Sequence, residues 1–315
     1  MPLPTDPASL AAAVAAGDRR ALARAISIVE DHRPGAPEIV AAVYSGAVHG
    51  HRVGITGAPG AGKSTLTDRL IAVVRRSGEE VAVLAIDPSS PFSGGAVLGD
   101  RVRMQDHVDD PGVFVRSMAS RGHLGGLSAA APKALAVLDA AGFPWLVVET
   151  VGVGQDEVEI AGAADTTVVV LNPGWGDGIQ AAKAGILEIG DVFVVNKSDR
   201  TGADDTVNDL HTMLTMGPQR PWTPPIVKTV AATGEGVDEL VDALGRHRAH
   251  LAEGGRIEAH RRERRRADLV GALAAELERR ARALVAEAAE TAAVDDGTLD
   301  PWTAAARIAA RTSDG

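Results

Sequence analysis

From Arg52 to about residue 250, short apolar runs alternate with helix-length amphipathic stretches. The runs are RVGITG, VAVLAID, GVFVRS, WLVVET, TTVVVLN, VFVVNK and IVKTVA. Most are continuously apolar rather than polar at every second position, the pattern of strands covered by helices on both faces. Strand and helix in strict succession predict an α/β fold, a doubly wound and mostly parallel sheet. Residues 5–50 are Ala-rich with apolar positions at helical spacing, and the break at Arg33-Pro34-Gly35 predicts two helices there. Beyond Gly254-Gly255 strand signals stop. Residues 256–290 read as one long helix carrying Leu269, Leu273, Leu277 and Leu284 on a single stripe. The expected organisation is a helical extension over 1–50, a core over 51–255 and a helical arm over 256–315.

The chemistry begins at the end of the first predicted strand. Gly57-Ala58-Pro59-Gly60-Ala61-Gly62-Lys63-Ser64-Thr65 matches GxxxxGKS/T between a strand and a helix expected to start near Lys63. Glycines there let several backbone N–H groups point into one concavity, and the helix N-terminus adds positive potential. Lys63 is expected to neutralise the β- and γ-phosphates of a nucleotide and Ser64 to offer its hydroxyl to Mg²⁺. The predicted strand VFVVNK runs into Asn196-Lys197-Ser198-Asp199, an NKxD pattern. A carboxylate at Asp199 can accept from N1–H and the exocyclic amine of guanine; adenine lacks that donor pair and would leave the carboxylate unpaired. Asn196 is expected to brace the neighbouring loop, Lys197 to lie over the base, and Val230-Ala231-Ala232 to contact the base oxygen through the backbone. GTP and GDP are thus the expected ligands.

Two other strands end in carboxylates, Asp87 and Glu149, both expected at the phosphate end where they can hold Mg²⁺. Glu149-Thr150-Val151-Gly152 resembles the DxxG segment of small GTPases, with Gly152 placed to donate its N–H to the γ-phosphate. Gln155 stands two residues too far along to be taken as the group that orients water, so slow intrinsic hydrolysis is expected. The loop over 89–104 is long and glycine-rich and ends in Asp100, Arg101 and Arg103, one arginine being a candidate for the developing phosphate charge. A second glycine-rich segment, from Asn172 to Gln180, carries Trp175 and reads as partner-facing.

Composition narrows the alternatives. The chain has 315 residues, a formal net charge of −10 and no cysteine, which excludes disulfides, a cysteine nucleophile and thiolate metal sites. The acidic balance argues against nucleic acid as a partner. The arginines of 256–266 are interleaved with Glu258 and Glu263 and are expected on a solvated or dimer-rim helix face. The N-terminus lacks a secretory pattern and no apolar stretch is long enough to span a bilayer, so a cytoplasmic location without membrane attachment is expected. His49-x-His51 is expected to be solvated.

Taken together, GAPGAGKST, IDPSSPFSGGAVLGDRVRM, VVETVGVGQDEVEI, NPGWGDGIQAAKAGILEIGD and VVNKSD resemble the MeaB/ArgK family, the methylmalonyl-CoA mutase-associated G-proteins. The resemblance covers nearly all of residues 40–255. It implies a homodimeric, Mg²⁺-dependent GTPase that serves as a chaperone for a cobalamin-dependent acyl-CoA mutase and gates delivery of its cofactor. By position it assigns Lys63, Ser64, Asp87, Asp100, Arg103, Glu149 and Asp199 to the nucleotide site. It also assigns the segment from Asp177 to Glu188, with Lys183, to a switch facing the mutase. Two rival readings are an ATP-dependent kinase or ATPase linked to amino-acid transport and a nickel-delivery GTPase. The NKSD turn opposes the first, and the lack of cysteine and of a tight histidine cluster opposes the second.

Overall fold

The computed structural model describes residues 3–44, 50–87, 104–107, 109–119, 130–150, 156–174, 182–217 and 220–313. The seven apolar runs form seven strands: β1 (His51–Gly57), β2 (Val81–Asp87), β3 (Val113–Ala119), β4 (Trp145–Thr150), β5 (Thr166–Leu171), β6 (Val192–Asn196) and β7 (Ile226–Thr229). They pair in the order β3-β2-β4-β1-β5-β6-β7, every pair parallel. The expected doubly wound sheet is therefore present, with the strand ends of β1, β4 and β2 brought side by side.

Helices cover both faces, and strand alternation sorts the side chains between them. Along β2, Ala82, Leu84 and Ile86 face one core, while Val81 and Val83 face the other. Leu146 and Val148 of β4 likewise oppose Trp145 and Val147. The first core is closed by α1 (Pro7–Ala15), α2 (Arg19–Glu30), α3 (Ala36–Val43) and α5 (Ala131–Ala140). The second is closed by α4 (Lys63–Arg76) and α9 (Val237–Ala252). Between α5 and α9 in the chain lie α6 (Asp156–Ala163), α7 (Ala182–Ile189) and α8 (Ala203–Met216). The N-terminal segment contains three helices where two were expected. The unforeseen break is Gly17, at φ +82°, followed by Asp18, whose carboxylate caps α2 by accepting from the amides of Arg20 and Ala21.

The chain divides into two compact units, Met1–Arg264 and Arg265–Gly315. The long helix α10 (Arg256–Glu287) starts in the first. In that first unit, two expectations about charged residues are overturned. Arg261 and Arg264 do not lie on a solvated face: both turn inward onto Asp165, whose side chain is fully buried, at 3.0 and 2.9 Å. His260 Nε2 meets the Ala164 carbonyl at 2.8 Å, and Arg261 donates to the Gly50 carbonyl. Burial alone would raise the Asp165 carboxyl, but the Arg261 hydrogen bond, the two guanidinium charges and the Arg52 amide hold it well below the usual carboxylate range. His51 is not solvated either. It is buried in β1, edge-on to Trp145, and its Nε2 lies 2.9 Å from Thr166 Oγ1. The same hydroxyl lies 2.7 Å from His247 Nδ1. Burial pushes His51 down to about 4 and His247 down to about 3, so two neutral rings share one hydroxyl, which donates to one and accepts from the other. His49 lies outside the described residues.

In the second unit, α10 continues and is followed by α11 (Glu290–Asp295) and α12 (Pro301–Ser313). Leu269, Leu273 and Leu277 are 69%, 57% and 55% exposed, an apolar stripe open to solvent in the single chain. Among the described residues, no helix is long and apolar enough to cross a membrane.

Candidate functional site

The turn from Gly57 to Gly62 joins β1 to α4 at the carboxyl ends of the strands, where open α/β sheets bind ligands. Two of its glycines are required by contact as well as by conformation. A Cβ on Gly57 (φ +131°) would sit 2.0 Å from the Val170 carbonyl oxygen, and one on Gly62 (φ +90°) 2.4 Å from Asn196 Nδ2. Lys63 Nζ folds back over the turn, donating to the Gly57 carbonyl at 2.7 Å and the Ala58 carbonyl at 3.1 Å. Ala61, Lys63 and Ser64 are buried, whereas Pro59, Gly60 and Thr65 are exposed.

Glu149 stands in β4 beside Ile55 of β1 and Ala85 of β2. That register brings its buried carboxylate to Ser64, whose hydroxyl donates to Oε1 at 2.5 Å. Two hard oxygen donors therefore converge at the foot of α4, a donor set that suits a small divalent cation such as Mg²⁺. Asp87 closes β2, a strand that pairs directly with β4. The Asp87 side chain lies outside the described residues, as do Asp100, Arg101, Arg103, Gly152, Gln155, Trp175, Asp177 and the side chain of Lys183.

Asn196 ties three segments together. Its Nδ2 donates to the Ala61 carbonyl at 2.7 Å, and its Oδ1 accepts from Thr229 Oγ1 and from the Ala231 amide at 3.1 and 3.0 Å. Lys197 adopts φ +58° and sends Nζ to the Gly60 carbonyl at 2.6 Å. The Ser198 amide donates to Thr229, which leaves Asp199 exposed at the rim rather than buried. Val230, Ala231 and Ala232 open the tight turn that follows β7, closed by the Val230–Glu235 bridge. The turn formed by 57–62 and the turn formed by 196–199 are thus joined by one asparagine. Two supports were not foreseen from the sequence. Arg69 Nε reaches the Ala231 carbonyl at 3.4 Å, and Asn172 Nδ2 lies 3.5 Å from the Gly60 carbonyl. Arg69 sits in no motif, and its one available signal is its place on the helix that the phosphate turn opens; Asn172 opens the glycine-rich segment 172–180, which was expected to face a partner.

The family model for the methylmalonyl-CoA mutase-associated GTPase MeaB matches residues 22–286. The chain belongs to the MeaB family. A Pyrococcus horikoshii protein named as a GTPase is 48% identical over 294 residues, 92% of this chain and 93% of that protein. GTPase ArgK of Escherichia coli is 34% identical over 78% of this chain and 77% of its own length. A third relative, the fused isobutyryl-CoA mutase of Cupriavidus metallidurans, is 41% identical over 202 residues, which is 62% of this chain and 18% of that protein. Among solved structures, an LAO/AO transport system kinase superposes with a TM-score of 0.72 at 25% identity, covering 98% of this chain and 97% of the other. As a MeaB-family GTPase, this protein binds guanine nucleotide and hydrolyses GTP, with the P-loop fold described above.

Proposed function

We propose that this GTPase is a cytoplasmic, nucleotide-switched chaperone for a cobalamin-dependent acyl-CoA mutase, gating cofactor delivery and protecting the mutase. The observation that carries this reading is the relative in which a segment similar to 62% of this chain is part of a fused isobutyryl-CoA mutase. Covalent linkage of two modules raises their effective concentration for each other, and such fusions are useful when the parts work together. The family description, which names association with methylmalonyl-CoA mutase, points the same way.

In this reading the cradle N–H groups and Lys63 hold the phosphates, and Asp199 reads the guanine edge. Asn196 keeps the two turns in register, Lys197 lies along the base and the 230–232 turn meets the base oxygen. Ser64, Glu149 and Asp87 would hold Mg²⁺, which when bound neutralises charge on the β- and γ-phosphate oxygens. Gly152 follows Glu149 closely enough in sequence to report whether the γ-phosphate is present. Asp100 and Arg103 would complete the hydrolytic groups, and the segment from Asp177 to Glu188 would pass the nucleotide state to the mutase. The similarity to an LAO/AO transport system kinase favours a second reading, an ATP-dependent kinase in amino-acid transport. The Asn-Lys-Ser-Asp turn opposes it, because Asp199 offers adenine no matching donor pair.

The test is capture of candidate cobalamin mutases by the full-length protein loaded with GDP or with a non-hydrolysable GTP analogue. Capture of one mutase that changes with the nucleotide is expected; equal or absent capture in both states would sink the chaperone reading.

The stripe of Leu269, Leu273 and Leu277 supports a homodimer, since so much exposed leucine on one helix favours association with a second copy. Sedimentation equilibrium should give a dimer for the natural protein and a shift towards monomer for Leu277→Asp. A monomer in both cases removes the dimer from the proposal.

A further inference from the structure

The turn after β7 is held from both sides of one residue. The Val230 carbonyl accepts from the amides of Thr233 and Gly234, so residues 230–233 form a β-turn whose central peptide joins Ala231 to Ala232. The Ala231 amide donates to Asn196 Oδ1 at 3.0 Å, and the Ala231 carbonyl accepts from Arg69 Nε at 3.4 Å. Arg69 belongs to α4, the helix that the phosphate turn opens. Further along that helix Arg75 and Arg76 pair with Asp110 and Asp238, whereas Arg69 is directed to a backbone oxygen. Its stem also lies beside Gly234, where an added Cβ would stand 4.0 Å from Arg69 Cδ.

One donor of this turn is left over. The amides of Val230, Ala231, Thr233 and Gly234 all have protein acceptors, and among the described residues that of Ala232 has none. Ala232 is exposed, so its N–H is open to a ligand. That N–H and the Ala231 carbonyl belong to the same planar trans peptide and point in opposite directions. Whatever fixes the carbonyl therefore fixes the N–H. Rotation of a central peptide is what separates one β-turn type from another, so this peptide is the part of the turn that needs holding. The Asn196 contact acts on the preceding peptide and leaves this one to Arg69.

We propose that Arg69 is a positioning residue for guanine recognition, holding the Ala231 carbonyl so that the Ala232 N–H meets the oxygen at purine C6. Arg69 touches neither the base nor the phosphates in this scheme; it acts through the 231–232 peptide. Two readers then share the purine edge. Asp199 takes N1–H and the exocyclic amine, and the Ala232 N–H recognises oxygen, an acceptor, where adenine carries an amino group, a donor. The proposal rests on the reading above in which the 230–232 turn meets the base oxygen.

Calorimetry on the full-length protein with GDP, IDP and 6-thio-GDP at neutral pH separates the two levels. IDP lacks the exocyclic amine read by Asp199, and 6-thio-GDP keeps that amine and N1–H but replaces the C6 oxygen with sulfur, a weaker acceptor. The natural protein is expected to bind GDP about two- to tenfold more tightly than 6-thio-GDP, the size of one neutral hydrogen bond. Arg69→Ala should bring that ratio close to one while the GDP-to-IDP ratio holds. Glutamine carries Nε2 as many bonds from its Cα as arginine carries Nε, so Arg69→Gln should restore the ratio. Arg69→Lys, whose nitrogen is one bond further out, should restore less. The full ratio in Arg69→Ala overturns the role of Arg69 and leaves the reading of the turn intact. An equal weakening towards all three nucleotides, or repair by lysine but not by glutamine, makes Arg69 a general support or a charge and also overturns the proposal. A natural protein that does not separate GDP from 6-thio-GDP removes the reading of the turn, and the proposal with it.

Discussion

Asp199→Asn is expected to turn a guanine site into a xanthine site. Xanthine carries a carbonyl where guanine carries its exocyclic amine. An asparagine amide at residue 199 can accept from N1–H and donate to that carbonyl, whereas guanine would set amine against amide. Sites built to hydrogen-bond one edge reject a mismatched edge by about 10⁴-fold, so a swing of that order in relative GTP and XTP affinity is expected. Competition between GDP and XDP for the purified protein measures it directly. The exposure of Asp199 makes the experiment clean, since the side chain supports no part of the described core. The brace made by Asn196 to Ala61 and Ala231 should survive the substitution, so the phosphate turn remains as it is. Unchanged preference for GTP would mean that the base is read elsewhere.

The second large effect is at Lys63. Its ammonium group folds over the turn onto two carbonyl oxygens, and in the proposed reading it would neutralise the β- and γ-phosphates. Lys63→Ala removes that cation and the two hydrogen bonds that order the turn. Charge-assisted hydrogen bonds contribute about 1.5–3 kcal/mol each, so a rise in the GDP Kd of about a hundredfold is expected by calorimetry, with hydrolysis falling as well. An affinity equal to that of the natural protein would show that the turn binds through its backbone alone.

What the sequence makes legible follows from how completely each feature is specified locally. The strands could be read because both faces of the sheet are covered, which demands unbroken apolar runs such as VVVL in β5. The phosphate turn could be read because Gly57 is forced by backbone contact with Val170, and Gly62 by its positive φ and the Asn196 side chain beside it. His51 could not be read. Its polarity suggests a loop, and only Thr166 and His247, distant in sequence, make it tolerable inside β1. Arg261 and Arg264 were misjudged for a similar reason. Amid six arginines in eleven residues, nothing marks the two that lie one turn apart and meet the buried Asp165. The break between α1 and α2 is different, because Gly17 and Asp18 are ordinary stop and start signals that the surrounding alanines obscured. Of the nucleotide site, the motifs were visible but the scaffolding was not. The contacts of Arg69 and Asn172 depend on which segments the fold lays side by side.

The burial of Asp165 bears on how a shortened version of this protein should be cut. A boundary drawn after the glycine pair at 254–255 looks natural, because the last strand and its covering helix are already complete. Such a fragment would strand a carboxylate in the interior with both of its guanidinium counter-charges deleted. Stopping short of residue 264 therefore invites misfolding of the G-domain itself, and any minimal nucleotide-binding fragment has to carry the opening turns of the arm.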